Sequence, residues 1–184
     1  SSPMSTNKVL RAQMYQPMLA GSTGFVYGNV PLWFMGTLGD SNPGWSYYSG
    51  ITVSWQATLG SKGASYVTRA RQFFSSIAWP QLIPDVGHSV MTAGYGSVNN
   101  DSNAVLARSL DGHLAVAYLT TNLTLTVDMT KFASAVTASW YDPTSGATQS
   151  TSALPIANTG SHNFTPPASN AEGSDDWVLL LQTN

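Results

Sequence analysis

Hydrophobic positions in the first part of the chain recur with the spacing of an α-helix. Three segments show this spacing: residues 8–20, 52–59 and 61–77. In the last segment the apolar positions form one stripe, made of Val67, Ala70, Phe73, Phe74 and Ile77. We therefore predict three helices. The first should be kinked or broken at Pro17, because proline lacks the N–H group that the interior of a helix uses.

The first predicted helix has one apolar face. It carries Leu10, Met14, Met18 and Leu19, while Lys8 and Arg11 lie elsewhere on the helix. Residues 24–28 then predict one short strand, and residues 29–50 a long loop rich in Gly, Pro and aromatic residues. A single strand leaves its backbone donors and acceptors without partners. Either this part of the chain takes its sheet from other polypeptide, or it is an appendage of the second half of the chain.

After Gly87 the pattern changes to alternating apolar and polar positions, which is typical of strands. Six runs are rich in β-branched or apolar residues: 89–95, 104–109, 113–119, 123–127, 136–141 and 177–182. Turn residues separate them, and Asp111-Gly112 predicts a hairpin. Many short strands with regular turns indicate an antiparallel β-sandwich. We place the domain boundary so that residues 1–86 form the first domain and residues 87–184 the second.

Composition narrows the classes of partner. Only 9% of the residues are charged, so the polar surface consists mainly of Ser, Thr, Asn, Gln and Gly. Such a surface suits secreted proteins that meet neutral polymers, and we expect this protein to be secreted. The 7 Lys and Arg residues form no cluster, which argues against nucleic acid. No segment approaches the roughly 20 apolar residues of a membrane span, and sequons occur at Asn100, Asn122 and Asn163.

Several motifs in the first part resemble a known glycosidase. They are LRAQMY at 10–15, LAG at 19–21, GFVYGN at 24–29, Trp33, Trp55, Gly63-Ala64 and WPQLIPD at 79–85. In this order and spacing they resemble the last βα units of the apiosidase-like glycoside hydrolase barrel. The resemblance implies a (β/α)8 barrel whose eighth strand is residues 24–28.

Motifs in the second part resemble the collagen-binding-like domain that comes after this barrel. They are ARS at 107–109, Asp111-Gly112, AVAYL at 115–119 and WYDPTSG at 140–146. The two resemblances together cover nearly the whole chain. They imply the last βα units of a (β/α)8 barrel over residues 1–86, and then an antiparallel β-sandwich accessory domain over residues 87–184.

The resemblance implies catalysis by two carboxylates, and this chain contains neither. Barrels of this kind carry out their chemistry at the C-terminal ends of the strands, and the family's carboxylates lie on earlier strands. No Asp or Glu occurs before Asp40, and the single Glu is Glu172. We therefore assign no catalytic residue to the chain and expect it to be inactive alone.

Three residues at or after the end of the implied eighth strand are candidates for substrate binding: Tyr27, Asn29 and Trp33. The resemblance places them at the mouth of the barrel. There the aromatic rings could stack on a sugar and the amide could bind hydroxyl groups. The alternative is that Tyr27 and Trp33 only close the top of the barrel.

The remaining candidate residues fit structural roles better than functional ones. Trp45, Tyr47 and Tyr48 suit local packing of the loop better than a wall of the sugar site, and Asp40 has little claim to catalysis. The histidines, His88, His113 and His162, are isolated, and no spacing suggests zinc. We expect no cofactor and no metal. Asp142 should cap its own turn with its side chain.

The leading hypothesis is the C-terminal part or subunit of a secreted glycoside hydrolase that acts on a cell-wall-type glycan. Its partners would be the glycan and the N-terminal remainder of the barrel, either a separate chain or a missing segment of the same protein; we expect no nucleic acid and no membrane partner. The alternative is a non-catalytic carbohydrate- or collagen-binding adhesion module, with residues 1–85 as a helical cap.

Overall fold

The structure, a computed structural model, describes residues 7–33, 35–39 and 52–183. Contacts group the chain into two compact units. Ser1–Phe25 and Arg69–Asn184 form the larger unit, and Val26–Thr68 form the smaller one. None of the described helices is long and apolar enough to span a membrane.

Three of the helices lie in the segments that the apolar pattern predicts, whereas the short helix at Val30–Trp33 lies in the segment 29–50 that was predicted to be a loop. They are α1 (Asn7–Leu19), α2 (Val30–Trp33), α3 (Trp55–Thr58) and α4 (Lys62–Ser75). Pro17 lies inside α1 without ending it, and the helix continues to Leu19. The predicted helix at 52–59 is shorter than expected. It begins after Ser54, whose side chain accepts a hydrogen bond from the N–H of Ala57.

The strands form two antiparallel sheets. They are β1 (Leu82–Pro84), β2 (Met91–Ala93), β3 (Gly96–Ser97), β4 (Ser102–Ser109), β5 (Leu114–Leu119), β6 (Leu125–Asp128), β7 (Val136–Tyr141), β8 (Thr148–Ser150), β9 (Ser161–Phe164) and β10 (Trp177–Thr183). The larger sheet has the order β1-β4-β5-β10-β7-β8, with β3 paired to β4, and the smaller has the order β2-β6-β9. Short 3₁₀ helices lie at Trp79–Gln81, Val98–Asn100 and Met129–Lys131.

Both sheets contribute to one buried apolar cluster, which includes Leu119, Leu125, Met129, Trp140 and Leu179. The strand β5 lies at the centre of the larger sheet and is buried along its whole length. Its residues Ala115, Ala117 and Leu119 belong to the cluster. The side chain of Tyr118 points the other way and stacks on Tyr15 of α1, with ring centroids 5.2 Å apart. Helix α1 therefore covers the face of β5 that is turned away from the cluster.

The hairpin at Asp111-Gly112 is confirmed. It joins β4 to β5, which pair in antiparallel register. Gly112 has a φ of +75°, a backbone conformation that glycine adopts without steric cost. Ser109 donates a hydrogen bond to the carboxylate of Asp111 and closes the turn. A turn signal between two alternating segments was therefore sufficient to place this hairpin.

Two predictions about the first part of the chain are wrong. Residues 24–28 do not form a strand, and Val26 is 99% exposed. None of the described strands pairs with this segment, and without a neighbouring strand no hydrogen-bonded ladder can form. The sequence pattern places Arg11 off the apolar face of its helix. It is completely buried, on the same face as Met14, Tyr15 and Met18.

The fold class is confirmed at a coarse level. The chain consists mainly of antiparallel sheets with few helices. The finer prediction, a barrel fragment over residues 1–86 and a β-sandwich over residues 87–184, stays a prediction.

Candidate functional site

Two of the three predicted substrate-binding residues lie together in the smaller unit. The side-chain amide of Asn29 donates a hydrogen bond to the hydroxyl of Tyr27, with the two atoms 3.2 Å apart. It also lies 3.5 Å from the Oγ of Ser61. Both Tyr27 and Asn29 are half-buried. The amide and the phenol thus form one small polar group that is still accessible to a ligand.

The local backbone holds this polar group in place. The carbonyl of Asn29 accepts a hydrogen bond from the N–H of Leu32, in the first turn of α2. The hydroxyl of Tyr27 lies against Gly63, so closely that a Cβ at that position would collide with the phenol. Glycine at position 63 therefore makes room for the ring of Tyr27.

The other aromatic candidates are not placed by the structure. Trp33 is the last residue of α2, but its side chain lies outside the described part. Trp45, Tyr47, Tyr48 and Asp40 lie outside the described residues altogether. The predicted aromatic wall therefore stays a prediction.

Asp85 is held as a charged acceptor in the described structure. Its Oδ1 accepts hydrogen bonds from the N–H and hydroxyl of Ser89, each at 2.8 Å. Its Oδ2 accepts from the N–H groups of Val90 and Met91, each at 2.9 Å. Burial alone would raise the pKa of Asp85, but these hydrogen bonds outweigh it and lower the pKa. A carboxyl with a lowered pKa is poorly suited to act as a general acid.

Asp142 caps its own turn, as predicted. Its Oδ1 accepts from the N–H and hydroxyl of Thr144 at 2.7 and 2.6 Å. Its Oδ2 accepts from the hydroxyl of Ser145 at 2.7 Å and from the N–H of Ala171 at 3.0 Å. Burial would raise the pKa of Asp142, and the hydrogen bonds lower it below its usual value. This carboxylate joins two loops and leaves no oxygen turned toward a ligand.

A buried ion pair was missed by the sequence analysis. Arg11 and Asp176 both have fully buried side chains. The Nε of Arg11 lies 2.8 Å from Oδ2 of Asp176, and its Nη2 lies 2.7 Å from Oδ1. Tyr118 donates to the same carboxylate at 3.0 Å, and so does Asn170 at 3.0 Å. We call Arg11, Tyr118, Asn170 and Asp176 the Arg11 cluster.

The Arg11 cluster joins distant parts of the chain. Arg11 lies on α1, Tyr118 on β5 and Asp176 directly before β10. Burial, and after it the charge and hydrogen bond of Asp176, raises the pKa of Tyr118, so its hydroxyl stays a donor. A signal was present in the sequence. Asp175-Asp176 is the one pair of adjacent acidic residues in a chain with few charges. Its position directly before an apolar strand predicts that cationic side chains pair with it.

Each histidine contacts a neighbour of its own. His88 stacks on Tyr95 with ring centroids 4.0 Å apart. The Nδ1 of His113 lies 2.5 Å from the hydroxyl of Thr183. His162 packs its ring against Phe164. Among the residues that the structure describes, no group of three or more His, Cys, Asp and Glu side chains could hold a metal ion.

Two family models match the chain. The one described as "Putative collagen-binding domain of a collagenase" matches residues 84–182. The one described as "Apiosidase-like, catalytic domain" matches residues 1–81. Both resemblances drawn from the sequence motifs are therefore confirmed. No curated protein matches the chain significantly.

Solved glycoside hydrolases share the fold. One is a glycoside hydrolase family 5 protein from Bacteroides vulgatus ATCC 8482, with a TM-score of 0.80, 18% identity and 97% of this chain covered. Another, described as a glycoside hydrolase, has a TM-score of 0.77, 21% identity and the same coverage. The chain spans 36% and 37% of the lengths of these proteins. At such low identity the likeness shows the fold alone.

Proposed function

This chain belongs to the family described as the putative collagen-binding domain of a collagenase, and we propose that it is the C-terminal part of a secreted glycoside hydrolase. The apiosidase-like match over residues 1–81 supports the proposal, because it adjoins the family domain directly. The likeness of the fold to glycoside hydrolases over 97% of the chain supports it as well. The low content of charged residues is the ground for proposing secretion.

The observation that carries the proposal is the Arg11 cluster. Arg11 lies in the segment that matches the apiosidase-like family, and Asp176 lies in the segment that matches the second family. Their ion pair has both side chains fully buried. Breaking such a pair leaves a charge without a partner in the interior, which costs about 3–5 kcal/mol. The start of the apiosidase-like segment is therefore joined to the second matched segment within the larger unit, which suits parts of a single enzyme better than independent modules.

In this proposal the chain supplies one wall of the sugar site and completes the barrel. Tyr27, Asn29 and Trp33 would contact a cell-wall-type glycan. The catalytic carboxylates would lie in the N-terminal remainder of the barrel, on a separate chain or on a segment of the same protein. The hydrogen-bonded state of Asp85 and Asp142 favours this division, because both carboxylates are fully engaged in the fold.

The pairing of segment 24–28 in the complete protein tests the proposal. Among the described residues no strand pairs with it, and Val26 is almost fully exposed. The proposal requires strands of the N-terminal remainder to pair with this segment. If the segment is equally exposed in the complete protein, the barrel hypothesis fails.

Reconstitution tests the proposal. The 184-residue chain should release no reducing sugar from cell-wall polysaccharides, and activity should appear when the N-terminal remainder is supplied. Tyr27→Ala and Asn29→Ala should then raise KM. Tyr95→Ala, which changes an exposed ring in the other unit, should leave KM unchanged. Turnover by the chain alone, or a 19.5 kDa monomer that never associates with a barrel fragment, would contradict the proposal.

The alternative is a non-catalytic module that binds carbohydrate or collagen. The family description over residues 84–182 favours it, and so does the exposure of Val26 in the isolated chain. Co-sedimentation separates the two hypotheses. An adhesion module should sediment with fibrillar collagen or insoluble polysaccharide without any second polypeptide, whereas the barrel hypothesis expects no tight binding of collagen by the chain.

A further inference from the structure

A groove of about 380 Å³ lies between the C-terminal half of α4 and the turn that joins β7 to β8. Its lining includes Phe73 and Tyr141, whose ring centroids are 4.7 Å apart. Helix α4 contributes Arg69 and Gln72 to its lining, and the strand β8 contributes Thr148. Pockets for small molecules measure about 300–1,000 Å³, so the groove has room for one or two sugar units.

Arg69 gives the groove a positive charge. Within the described residues, no Asp or Glu forms an ion pair with its guanidinium, whereas Lys8, Arg11 and Lys131 are each paired with an acid. The stem of Arg69 passes close to Gly146, where a Cβ would lie 3.9 and 4.0 Å from Cγ and Cδ.

The nearby acid does not neutralise this charge by direct contact. Asp142 comes after Tyr141 in sequence, but its oxygens accept hydrogen bonds from Thr144, Ser145 and Ala171. The hydroxyl of Tyr141 donates to the backbone carbonyl of Arg69 at 3.2 Å, which ties the strand to the helix and holds the two walls together. The guanidinium is thus held beside the groove while its donors stay available.

We propose that this groove binds a carboxylate-bearing sugar, namely a uronic acid unit of an acidic polysaccharide. A guanidinium binds a carboxylate through two parallel N–H donors. The amide of Gln72 and the hydroxyl of Thr148 suit sugar hydroxyls, because both groups can donate and accept. Phe73 and Tyr141 are only 4% and 8% exposed, so the polar groups of the lining would make most of the contacts with the sugar. The inference does not depend on the barrel, since Arg69, Phe73, Tyr141 and Thr148 all lie in the larger unit.

Calorimetric titration of the 184-residue chain with trigalacturonic acid tests the proposal. Cellotriose serves as the neutral sugar and sodium acetate as the carboxylate without a sugar. We expect trigalacturonic acid to bind at least about tenfold more tightly than either control, a difference of about 1.4 kcal/mol. We also expect the affinity to fall as salt is added, because the contact is between charges at the surface. Equal binding of cellotriose, or equal binding of acetate, would overturn the proposal.

Matched variants locate the site. Arg69→Gln should weaken the binding of trigalacturonic acid about tenfold, which corresponds to about 1.4 kcal/mol. Arg71→Gln removes the same charge from the same helix, outside the groove, and should have no effect. Arg69→Lys keeps the charge without the two-donor geometry and should fall between the two. If circular dichroism shows that Arg69→Gln does not fold, Arg69→Lys takes its place in the comparison with Arg71→Gln.

The outcomes separate the binding site from the proposed function. If Arg69→Gln and Arg71→Gln bind trigalacturonic acid equally, the groove is not the site, whatever the chain does in hydrolysis. Displacement of the sugar by an acidic peptide of equal or higher affinity would reassign the groove to a protein partner. If binding depends on Arg69 but reconstitution yields no hydrolysis, the groove stands and the barrel hypothesis fails.

Discussion

The Arg11 cluster gives the sharpest test of how this chain holds together. Arg11→Met keeps much of the aliphatic stem and removes the charge. Asp176 then stays fully buried, with Tyr118 and Asn170 as the remaining side-chain donors. Removing one partner of a buried ion pair costs about 3–5 kcal/mol. Since small domains unfold with about 5–15 kcal/mol, this single change should remove a large part of the stability.

Lys8 provides a matched control on the same helix. Its Nζ lies 2.6 Å from Asp175, the residue next to Asp176, so the geometry of the contact is as close as that of Arg11. The two side chains, however, are 30% and 39% exposed. An exposed pair contributes about 0–1 kcal/mol. Lys8→Met should therefore cost far less than Arg11→Met, although each variant removes one ion pair.

Urea denaturation of the 184-residue chain measures both costs. The slope of the unfolding free energy against urea should be unchanged, so that a shift of the midpoint reports stability. Hydrogen exchange should show that Arg11→Met loses protection along α1 first. The reasoning is refuted if Arg11→Met costs no more than Lys8→Met. The double variant Arg11→Met/Asp176→Leu should recover part of the loss, because it leaves neither charge of the pair in the interior. The recovery should be incomplete, since Tyr118 and Asn170 lose the carboxylate to which they donate.

Three further predictions concern single residues. Asp142→Asn should lower the free energy of unfolding at neutral pH by about 1.5–3 kcal/mol, the contribution of a hydrogen bond to a charged group. Because the folded pKa of Asp142 is lowered, its contribution to stability is present above about pH 4 and is lost as the pH falls through the folded pKa. The stability of Asp142→Asn should therefore fall less steeply in acid than that of the unchanged protein. Urea midpoints at several pH values would show this difference. Tyr118 has a raised pKa, so its contribution to stability is present below about pH 10 and is lost as the pH rises from there through the folded pKa. Tyr118→Phe should lower the free energy of unfolding by about 1.5–3 kcal/mol at neutral pH. In the same assay, the stability of this variant should fall less steeply at alkaline pH. Gly63→Ala should displace the ring of Tyr27 and shift its NMR signals, whereas Gly60→Ala, where a Cβ meets only ordinary contact, should not.

The strands rich in apolar or β-branched residues were predictable from the sequence alone. The strand β7 has the predicted bounds, and β10 extends one residue beyond them. In contrast, β8 and β9 were missed, because TQS and SHNF are polar and carry no apolar period. The strand β9 exists through its pairing with β6, in which Val127 faces His162 across the ladder. A short polar strand of this kind takes its structure from its partner, which local sequence does not reveal.

The candidate site was predictable only in part. Tyr27 and Asn29 do lie together, as residues two positions apart in an extended segment can. The Arg11 cluster was not predicted, because its ion pair joins residues that are 165 positions apart. Periodicity assigns an arginine to the polar face of a helix unless its partner is known. The predicted strand at 24–28 is wrong for a different reason. Its apolar residues favour pairing with a neighbouring strand, and the described part of the chain provides none next to it.

The placement of Arg11 explains why a chain with few charges buries one of them. An apolar helix face determines which side of α1 meets the sheet, but apolar contacts are non-directional and determine the height of the helix less strictly. Arg11 shares the buried face of α1 with Met14 and Met18, and its paired bonds to Asp176 add direction to that face. A placement of α1 that separated the two side chains while they stayed buried would leave each charge without its partner. The ion pair thus favours one arrangement of α1 on the sheet. By the same argument, the double variant should be more stable than Arg11→Met and yet show weaker hydrogen-exchange protection along α1 than the unchanged protein.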